Sequence, residues 1–536
     1  MENSDATTPE TNDPRLDVGL SRRRFMAAAG VAVGAAALAA CSPSKSSAKP
    51  SAASSGASSG ASSGASSGAS SAASPAISSR AAASLAPLGP KPATLKLLDV
   101  GTQADAQGIQ SVLPMLENAL GISIQIENLA YNDVQAKVFA ELATNSPAHD
   151  IYIMDPPWTP TVVGALEPLS AYLMSSAMNQ GIQLDLEDFL EKPFYDSAVY
   201  NAANVSAQYP DPTAPIDIPS IVGKNFEIYG LPIHANVMIG AYRKDLFESQ
   251  TEKAAFKSRF GRDLVVPVTW DDFLQVAEHF TRPGMAGTTI LGGAQEGLDF
   301  CDWKTLVAAY GGDGHIIGED LSVVGASTEA VAAFQFYVDM IRKSKVTPPD
   351  ATTADWDKCI AQFGSGKAAM TWNYAPQTLT VPGGQIGYMQ MPTKTVGGPR
   401  GPHFGTYQFS IPAKQDPNRK AWAYRAIAWL TSAQAQIAML PSQLHVTRKS
   451  AFTAAANDTA ITSSFGNFYS VMADSLAVGV GRARVKNWPQ DIQPFIEKLN
   501  LAENGSGTVS DNIQAAAEQT VSILKSLGYA KAHVAV

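Results

Sequence analysis

The side chains best suited to chemistry in this sequence are aromatic rings that stand beside polar groups. Trp158 follows Asp155 across two prolines, which hold the chain extended. Further along, Asn373 lies between Trp372 and Tyr374. An aromatic face can stack against C–H groups, while a carboxylate or an amide can satisfy hydroxyl groups. The pattern therefore favours non-covalent recognition of a polar, hydroxyl-bearing molecule.

Motifs for covalent or phosphate chemistry are incomplete or missing. Residues 364–367 read Gly-Ser-Gly-Lys, but Ala361 and Ala368 replace the glycine and the hydroxyl residue that a full phosphate loop needs. The seven histidines are scattered, without a His-Glu-x-x-His or Cys-x-x-Cys motif. We therefore expect no cofactor and no metal site, although two distant acidic residues could still form a glycosidase site.

Length and composition limit the class of protein. The chain has 536 residues, of which 45% are hydrophobic, and its formal net charge is -9. Because one hydrophobic core stops growing near roughly 250–300 residues, we expect at least two domains. The acidic balance argues against a nucleic-acid partner, which would require clustered Lys and Arg. Three cysteines are too few for a disulfide scaffold.

The first 41 residues are typical of an export signal. Residues 21–25 read Ser-Arg-Arg-Arg-Phe and resemble a twin-arginine signal, and the small, apolar run that follows is too short to span a bilayer. Residues 38–41 read Leu-Ala-Ala-Cys and resemble a bacterial lipobox. Cys41 is therefore the predicted lipidation site. Cleavage of a plain signal peptide after Ala-x-Ala is the alternative.

The next segment, residues 42–93, consists almost entirely of Ser, Ala, Gly and Pro. Four Ala-Ser-Ser-Gly repeats occupy 53–68. Such a composition buries too little apolar surface to offset the entropy of ordering the chain. We expect a disordered tether that lets a lipid-anchored body work near a membrane, with no other membrane contact.

The body that follows alternates predicted strands and helices. Residues 94–100 are typical of a buried strand, 106–120 have helical apolar spacing, and 122–127 alternate as a second strand does. A helix over 134–143 and a strand over 149–154 continue the series. This order predicts an α/β fold with a parallel sheet, whose ligands bind beyond the carboxyl ends of strands.

From residue 226 onwards, a series of segments stands in a consistent order. The segments, in chain order, are Phe-Glu-Ile-Tyr-Gly-Leu-Pro-Ile-His-Ala-Asn (226–236), Tyr-Arg-Lys-Asp-Leu-Phe (242–247), Pro-Val-Thr-Trp-Asp-Asp-Phe-Leu (267–274), Phe-Gly-Ser-Gly-Lys-Ala-Ala-Met-Thr-Trp-Asn (363–373), Gly-Thr-Tyr-Gln-Phe-Ser-Ile-Pro (405–412), Ala-Trp-Leu-Thr-Ser-Ala-Gln-Ala (428–435) and Val-Thr-Arg-Lys-Ser (446–450). Together they resemble the family 1 extracellular solute-binding proteins, the carbohydrate receptors of ABC importers. The resemblance extends from about residue 94 to the C-terminus.

This resemblance implies a two-lobe periplasmic-binding fold, also called a Venus flytrap, in which each lobe is a mainly parallel sheet flanked by helices. It places lobe one at 94–234 and 374–430, and lobe two at 238–371 and 441–536. The ligand would bind between the lobes, which close by hinge bending. Residues 175–225 depart from the family pattern and are expected to form an irregular insertion on lobe one, of unassigned role.

The resemblance also implies which residues contact the ligand, at strand ends and at the crossings between lobes. The predicted ligand-binding residues are Asp155, Trp158, His234, Asn236, Trp372, Asn373, Tyr374, Tyr407 and Trp488. Tyr131 is a weaker candidate. For each, packing is the alternative: Trp158 against a helix, His234 as a buried histidine and Trp372 in a core. Trp488, which follows basic residues at 482, 484 and 486, could belong to an exposed loop instead.

The expected function is that of a solute receptor rather than an enzyme. It would bind a neutral sugar, oligosaccharide or polyol, and its partners would be that ligand and the permease subunits of an ABC importer. We expect a monomer, held by its lipid on the outer face of the cytoplasmic membrane or in the periplasm. The alternatives are an exported carbohydrate-active enzyme and a same-fold receptor for a non-sugar solute. Cys301 and Cys359 are expected either to form a disulfide or to remain buried thiols.

Overall fold

The structure is a computed structural model, which describes residues 85, 87–101, 103–144, 147–294, 297–374, 381, 384–442 and 445–535. The predicted signal peptide, with the Cys41 lipidation site, lies outside these residues, as does most of the predicted tether. Within the described ranges, no helix is both long enough and apolar enough to cross a bilayer.

The last residues of the predicted tether pack on the folded body. The indole N–H of Trp422 donates to the carbonyl of Gly89 at 3.2 Å, and the Asn418 amide donates to the carbonyl of Pro90 at 2.7 Å. The Lys91 ammonium lies 5.8 Å from the centre of the Trp422 ring. The prediction of disorder up to residue 93 is therefore wrong at its C-terminal end, because the backbone carbonyls there find donors on a helix.

The predicted β-α-β-α-β order at the start of the body is confirmed. The strands are β1 (Thr94–Val100), β2 (Ser123–Leu129), β3 (Ile151–Met154), β4 (Val199–Tyr200), β5 (Glu227–Ile228), β6 (Leu231–Arg243), β7 (Ala286–Thr288), β8 (Ser322–Val324), β9 (Ala368–Tyr374), β10 (Ile386–Met389), β11 (Phe404–Ser410) and β12 (His533–Ala535).

The helices connect these strands and cover them. They are α1 (Gln103–Leu120), α2 (Tyr131–Thr144), α3 (Thr159–Val162), α4 (Ser170–Met174), α5 (Glu191–Ala198), α6 (Ile218–Gly223), α7 (Lys244–Glu248), α8 (Gln250–Phe260), α9 (Trp270–Phe280), α10 (Leu298–Ala309), α11 (Thr328–Arg342), α12 (Trp356–Gly364), α13 (Pro417–Leu430), α14 (Ala433–Met439), α15 (Lys449–Asn457), α16 (Thr459–Phe465), α17 (Phe468–Val478), α18 (Trp488–Glu503) and α19 (Val509–Ser526).

Two helices begin at residues whose side chains cap them. The side chain of Thr269 accepts from the backbone N–H of Asp272 at 3.1 Å and begins α9. Asp416 caps α13, with Pro417 at the first helical position. Both arrangements satisfy backbone N–H groups that a helix leaves without partners at its N-terminus. The sequence therefore specifies these boundaries locally.

One strand, β6, passes from one lobe into the other. Its first half, up to Val237, pairs with β11, and its second half, from Met238 to Tyr242, pairs with β9. β10 pairs with β6 on the other side, over residues 240–243. The sheet therefore runs in the order β2-β1-β3-β11-β6-β9-β7, with β10 beside β6. β6 is thus the first crossing that the resemblance implies.

The predicted mainly parallel sheets need a correction in detail. β1 pairs in parallel with β2 and β3, and β7 pairs in parallel with β9. The ladders of β11 with β3 and β6, and of β6 with β9 and β10, are antiparallel. The antiparallel ladders lie around the crossing between the lobes. There β6 runs in the direction opposite to β9, β10 and β11, which pair with it. The α/β class and the two-lobe arrangement are unaffected.

Buried apolar residues form one cluster in each lobe and a third beside the crossing strand. The first cluster draws on residues between 95 and 233 and between 409 and 439. The second draws on residues between 238 and 372 and between 483 and 532, and it includes Met389 and Met391. The third contains Val237, Ile239 and residues between 440 and 476. Residues 386–391, predicted for lobe one, therefore pack with lobe two, because β10 pairs with the second half of β6.

Candidate ligand-binding site

Asp155 lies immediately beyond the carboxyl end of β3, where the sequence predicts a ligand loop. The chain turns there because the N–H groups of Trp158 and Thr159 both donate to the Asp155 carbonyl, at 2.9 and 3.3 Å. The carboxylate is 2% exposed. Its Oδ2 accepts from the Tyr131 hydroxyl at 2.6 Å, so the start of α2 and the end of β3 hold it together. The prediction for Asp155 thus falls on a buried, hydrogen-bonded acid.

The partner of this acid comes from a segment far away in the sequence. Nη1 of Arg482 donates to Oδ1 of Asp155 at 2.8 Å and to Oδ2 at 3.0 Å. The neighbours Ala483 and Val485 are buried in the second cluster. Lys304 on α10 donates to the carbonyl of Gly481 at 2.7 Å and so fixes the segment to lobe two. The ion pair therefore joins the two lobes.

The second arginine of this segment also reaches lobe one. The guanidinium of Arg484 donates to the carbonyls of Tyr195, Asp196 and Val199, and lies 4.4 Å from the centre of the Tyr200 ring. The alternative given for Trp488, an exposed loop, is therefore wrong for this segment. Arg482 and Arg484 alternate with buried Ala483 and Val485, so one face of the extended segment packs on lobe two and the other bonds to lobe one.

Burial affects the pKa values of both Asp155 and Arg482. It raises the pKa of Asp155, while the Arg482 charge and the Tyr131 hydroxyl act in the opposite direction. For Arg482, burial lowers the pKa, but Asp155, Tyr131, Tyr374 and Cys301 together outweigh burial, and the pKa lies well above its ordinary value. A charge-assisted hydrogen bond of this kind is short and strong in a low-dielectric site. The guanidinium accordingly remains charged.

Tyr374 and His403 form a second polar contact near Arg482. The Tyr374 hydroxyl is hydrogen-bonded to Nδ1 of His403, and the two rings meet edge to face with centres 5.4 Å apart. His403 is fully buried, and burial, helped by the charges of Lys304 and Arg482, holds its pKa well below the ordinary value. The imidazole is therefore neutral near pH 7.

The crossing strand contributes the residues of the first half of β6. Oδ1 of Asn236 accepts from the backbone N–H of Gly405 at 3.1 Å. A Cβ at Gly405 would lie 2.9 Å from that oxygen and 3.7 Å from Nη1 of Arg482, so the amide lies close to the ion pair. His234 faces Tyr407 across the β6–β11 ladder, with ring centres 4.6 Å apart. His234 is buried, while Tyr407 remains half-buried.

These residues form one group, which we call the interlobe cluster. Its members are Tyr131, Asp155, Asn236, Tyr374, His403, Tyr407 and Arg482. Tyr131, Asn236, Tyr374, Tyr407 and Arg482 are each half-buried, so polar and aromatic surface stays accessible around the buried acid. Tyr407 is also near enough to raise the pKa of Tyr131, although burial and Asp155 raise it more. The cluster combines ring faces with a carboxylate, an amide and a guanidinium.

Five of the predicted site residues lie outside the interlobe cluster, and His234, which is buried beside Tyr407, is one of them. The Trp372 indole donates to Oδ1 of Asp302 at 2.7 Å and packs against Trp270 at 5.4 Å in the core of lobe two. Trp488 is also in that core, with its ring 5.7 Å from Phe300. Large rings gain most from full burial, and on β9 only the final residue, Tyr374, reaches the interlobe region.

Asn373 and Trp158 are likewise structural in this arrangement. The Asn373 amide donates to the carbonyl of Trp356, and its oxygen accepts from the N–H of Tyr374. Trp158 is fully buried, and its ring centre lies 4.7 Å from that of Tyr131. Trp158 therefore supports Tyr131 from behind, and Tyr131 presents the accessible ring.

Arg482 and His403 lie outside the predicted set of site residues, and Tyr131 belongs to it only as a weaker candidate. Arg482 has no aromatic residue beside it in the sequence, since the nearest is Trp488. The signal was the alternation of Arg482 and Arg484 with two apolar residues, which is typical of an extended segment with one buried face. For His403, in a stretch of Gly and Pro, the sequence carries no comparable signal.

The two described thiols form no disulfide with each other, and Cys301 lies beside Tyr374 of the cluster. Cys301 and Cys359 are free and buried, and the Cys359 thiol donates to the carbonyl of Ile290 at 3.0 Å, so the disulfide alternative is not realised. Across the described ranges, no three His, Cys, Asp or Glu side chains are grouped to hold a metal ion. Two surface cavities, of about 160 and 460 Å³, lie elsewhere on lobe one. Their lining includes Lys96 and His149 in the first and Gln183 and Trp429 in the second.

Several known proteins are similar to this chain. The mannitol-binding protein of Pseudomonas aeruginosa is 28% identical over 145 residues, which are 27% of this chain and 30% of that protein. Maltose-bound MalE3 of T. maritima superposes with a TM-score of 0.63 at 22% identity, covering 80% of this chain and 100% of its own. A ribitol-bound ABC transporter solute-binding protein of Agrobacterium radiobacter K84 gives the same TM-score and identity, over 82% and 100%. These structural likenesses show the two-lobe fold.

A family model covers most of the body. The model of the bacterial extracellular solute-binding proteins matches residues 104–437. This range includes strands β2 to β11, and therefore the crossing strand β6. The match therefore spans both lobes and the residues of the cluster except Arg482. This chain belongs to the bacterial extracellular solute-binding protein family.

Proposed function

We propose that this protein is the receptor of an ABC importer and binds a neutral sugar, oligosaccharide or polyol between its lobes. The interlobe cluster is the observation that carries the proposal. A buried Asp155–Arg482 pair is surrounded there by half-buried tyrosines and the Asn236 amide. A hydroxyl-rich ligand needs polar partners of this kind for its hydroxyls and ring faces for its C–H groups.

The names of the relatives support the same class of ligand. The curated relative binds mannitol, and the structural relatives hold maltose and ribitol. All three are uncharged and rich in hydroxyls. The alignment with the mannitol-binding protein covers only 30% of its length, so the ligand class is carried to this chain by the cluster together with the family.

Closure would follow from differential binding. Tyr131, Asp155 and Tyr407 belong to lobe one, whereas Arg482 and Tyr374 reach the cluster from lobe two. A ligand that touches both sets binds the closed arrangement more tightly and so raises its population. The permease then recognises the closed form and receives the ligand unchanged. No covalent step is required.

The location of the receptor rests on the N-terminal sequence. The family acts outside the cytoplasm. We infer that Cys41 carries the lipid and that residues 42–84 form the tether, since the body begins to pack at residues 85–91. A monomer on the outer face of the cytoplasmic membrane or in the periplasm, with permease subunits as partners, fits this arrangement.

Calorimetric titration with a panel of sugars and polyols tests the proposal. A ligand at 100 times its dissociation constant should stabilise the protein by about 2.7 kcal/mol in thermal unfolding. Arg482→Ala should abolish binding, while Lys486→Ala, an exposed neighbour, should leave it unchanged. Binding by no member of the panel, or turnover of the bound compound into a product, would contradict the proposal.

A further inference from the structure

Arg482 has N–H groups without an acceptor among the described residues. Nη1 makes both bonds to Asp155. Nε and Nη2 donate to no acceptor in the described part of the chain, and the side chain keeps 17% of its exposure. This free edge carries parallel N–H groups, which fit two neighbouring oxygens of a carboxylate or of a vicinal diol. Geometry alone therefore allows an acidic ligand as well as a neutral one.

The acid beside it restricts that choice. Asp155 is 3% exposed at its side chain and already accepts three hydrogen bonds, two from Arg482 and one from Tyr131. An ionised carboxylate offers about four acceptor sites, so one remains for a ligand hydroxyl. A second carboxylate on the Arg482 edge would face this buried negative charge at short range. A hydroxyl pair would instead accept from Arg482 and donate to Asp155.

The wider charge distribution around the pair is balanced. Three cations and three acids act on one another there, namely Arg482, Arg484 and Lys304, and Asp155, Asp196 and Asp313. His315 also lies near Asp196 and Asp313, and it adds no charge while it is neutral. Burial lowers the pKa of Lys304 to about 7 and raises that of Asp196. Transfer of a proton from Lys304 to Asp196 would leave the total charge of these six groups unchanged. A charged ligand would therefore enter without a counter-ion.

We propose that the Asp155–Arg482 pair selects the ligand by charge, so that the site accepts an uncharged vicinal diol and rejects the corresponding acid and amine. This inference rests on the proposed function and names Arg482 as a ligand-binding residue. Each residue of the pair excludes one kind of charged ligand. Asp155 repels an acidic ligand, and Arg482 repels a cationic one.

The test uses three compounds that differ only in one terminal group: D-mannitol, D-mannonate and 1-amino-1-deoxy-D-mannitol. Binding of each is measured by calorimetry to the wild type and to two variants. Asp155→Asn keeps the shape but leaves Arg482 without a counter-charge. Arg482→Gln leaves Asp155 without one. Because the two variants alter opposite partners, a folding defect in one leaves the other informative.

We expect the wild type to bind mannitol at least tenfold more tightly than either charged compound. Asp155→Asn should shift the ratio of affinities towards mannonate by tenfold or more, and Arg482→Gln should shift it towards the amine by a similar factor. The control is Asp245→Asn, which removes the partner of Arg243 outside the cluster and changes the net charge by the same amount as Asp155→Asn. It should leave all three affinities unchanged.

The outcomes separate this inference from the proposed function. A wild type that binds mannitol, together with folded variants that keep its order of preference, overturns selection by charge and leaves the receptor function standing. A wild type that prefers mannonate overturns it too. A wild type that binds none of the three compounds, nor any other member of the sugar panel, overturns both.

Discussion

Nη1 of Arg482 reaches both carboxylate oxygens of Asp155, at 2.8 and 3.0 Å, across 327 residues of sequence. Asp155 ends a strand of lobe one, and Arg482 lies on a segment fixed to lobe two by Lys304. The pair therefore closes the gap between the lobes in this structure. Because both side chains are largely buried, their attraction is only weakly screened by solvent and salt.

Arg482→Met should open the protein when no ligand is present. The substitution keeps an apolar stem but leaves Asp155 buried without a counter-charge, and breaking a buried pair in this way costs about 3–5 kcal/mol. We expect a larger radius of gyration by small-angle X-ray scattering. The control is Arg243→Met, whose partner Asp245 lies two residues away on the same lobe. Identical scattering from Arg482→Met and the wild type would show that the pair does not hold the closed form.

Gly481→Ala should weaken ligand binding through a steric effect. A Cβ at this position would lie 2.4 Å from Oδ1 of Asp196, which belongs to lobe one. Overpacking of this kind costs about 1–3 kcal/mol, and here it falls on the closed arrangement, so the dissociation constant should rise about fivefold or more. Calorimetry checks the affinity. Gly223→Ala, where an added Cβ meets nothing within 4 Å, is the control and should bind normally.

Trp372→Phe and Tyr407→Ala should have opposite effects. Trp372 fills the core of lobe two and donates to Asp302, so its loss should lower the free energy of unfolding by about 2 kcal/mol or more and leave affinity unchanged. Tyr407 is half-buried in the interlobe cluster, so its loss should weaken binding with a smaller effect on stability. Urea unfolding and calorimetry on both variants separate the two roles. A Trp372→Phe variant that folds as stably as the wild type but no longer binds the ligand would show that Trp372 belongs to the binding site.

The contribution of two buried acids to stability should fall as the pH rises from about 4 to 8. Burial raises the pKa of Asp491 to about 8 and that of Asp302 to about 7, so each carboxyl keeps its proton in the folded state and loses it on unfolding. The stabilisation is complete below the ordinary pKa near 3.8 and is lost as the pH rises through the folded values. Each group contributes a slope of about 1.4 kcal/mol per pH unit while it is protonated only in the folded state.

Asp491→Asn isolates this effect. Neither carboxyl oxygen of Asp491 has a hydrogen-bond partner among the described residues, so the amide replaces a neutral acid of the same shape. Urea unfolding between pH 5 and 8 should give a flatter profile for the variant than for the wild type. Asp263→Asn, on an exposed side chain, should keep the wild-type slope. Parallel profiles for Asp491→Asn and the wild type would mean that Asp491 is ionised in the folded protein.

The sequence predicts the order of strands and helices well because those signals are local. Apolar spacing marks β1 to β3, and the caps of Thr269 and Asp416 mark helix starts within a few residues. The resemblance to the solute-binding family adds the two lobes and the crossing at β6. The position of Asp155 at a strand end also follows from the chain itself, since a buried apolar run must stop where the polar turn begins.

The choice among candidate side chains depends on the tertiary structure. Trp372 and Tyr374 are two residues apart on one strand, yet one is enclosed by the core of lobe two and the other reaches the interlobe cluster. Spacing puts them on the same face of β9 but does not reveal where the neighbouring helices end. The same limit applies to Trp488, which resembles a cleft residue in sequence and packs on Phe300 in the fold.

The sequence by itself determined the α/β pattern, the family and the acid at the end of β3. Only the tertiary structure decided that Arg482 is the partner of that acid and that Tyr131, rather than Trp158, presents the accessible ring. The physical reason is that periodicity and capping act over a few residues. Ion pairing and desolvation depend instead on which distant segments meet, and that is set by the packing of the whole chain.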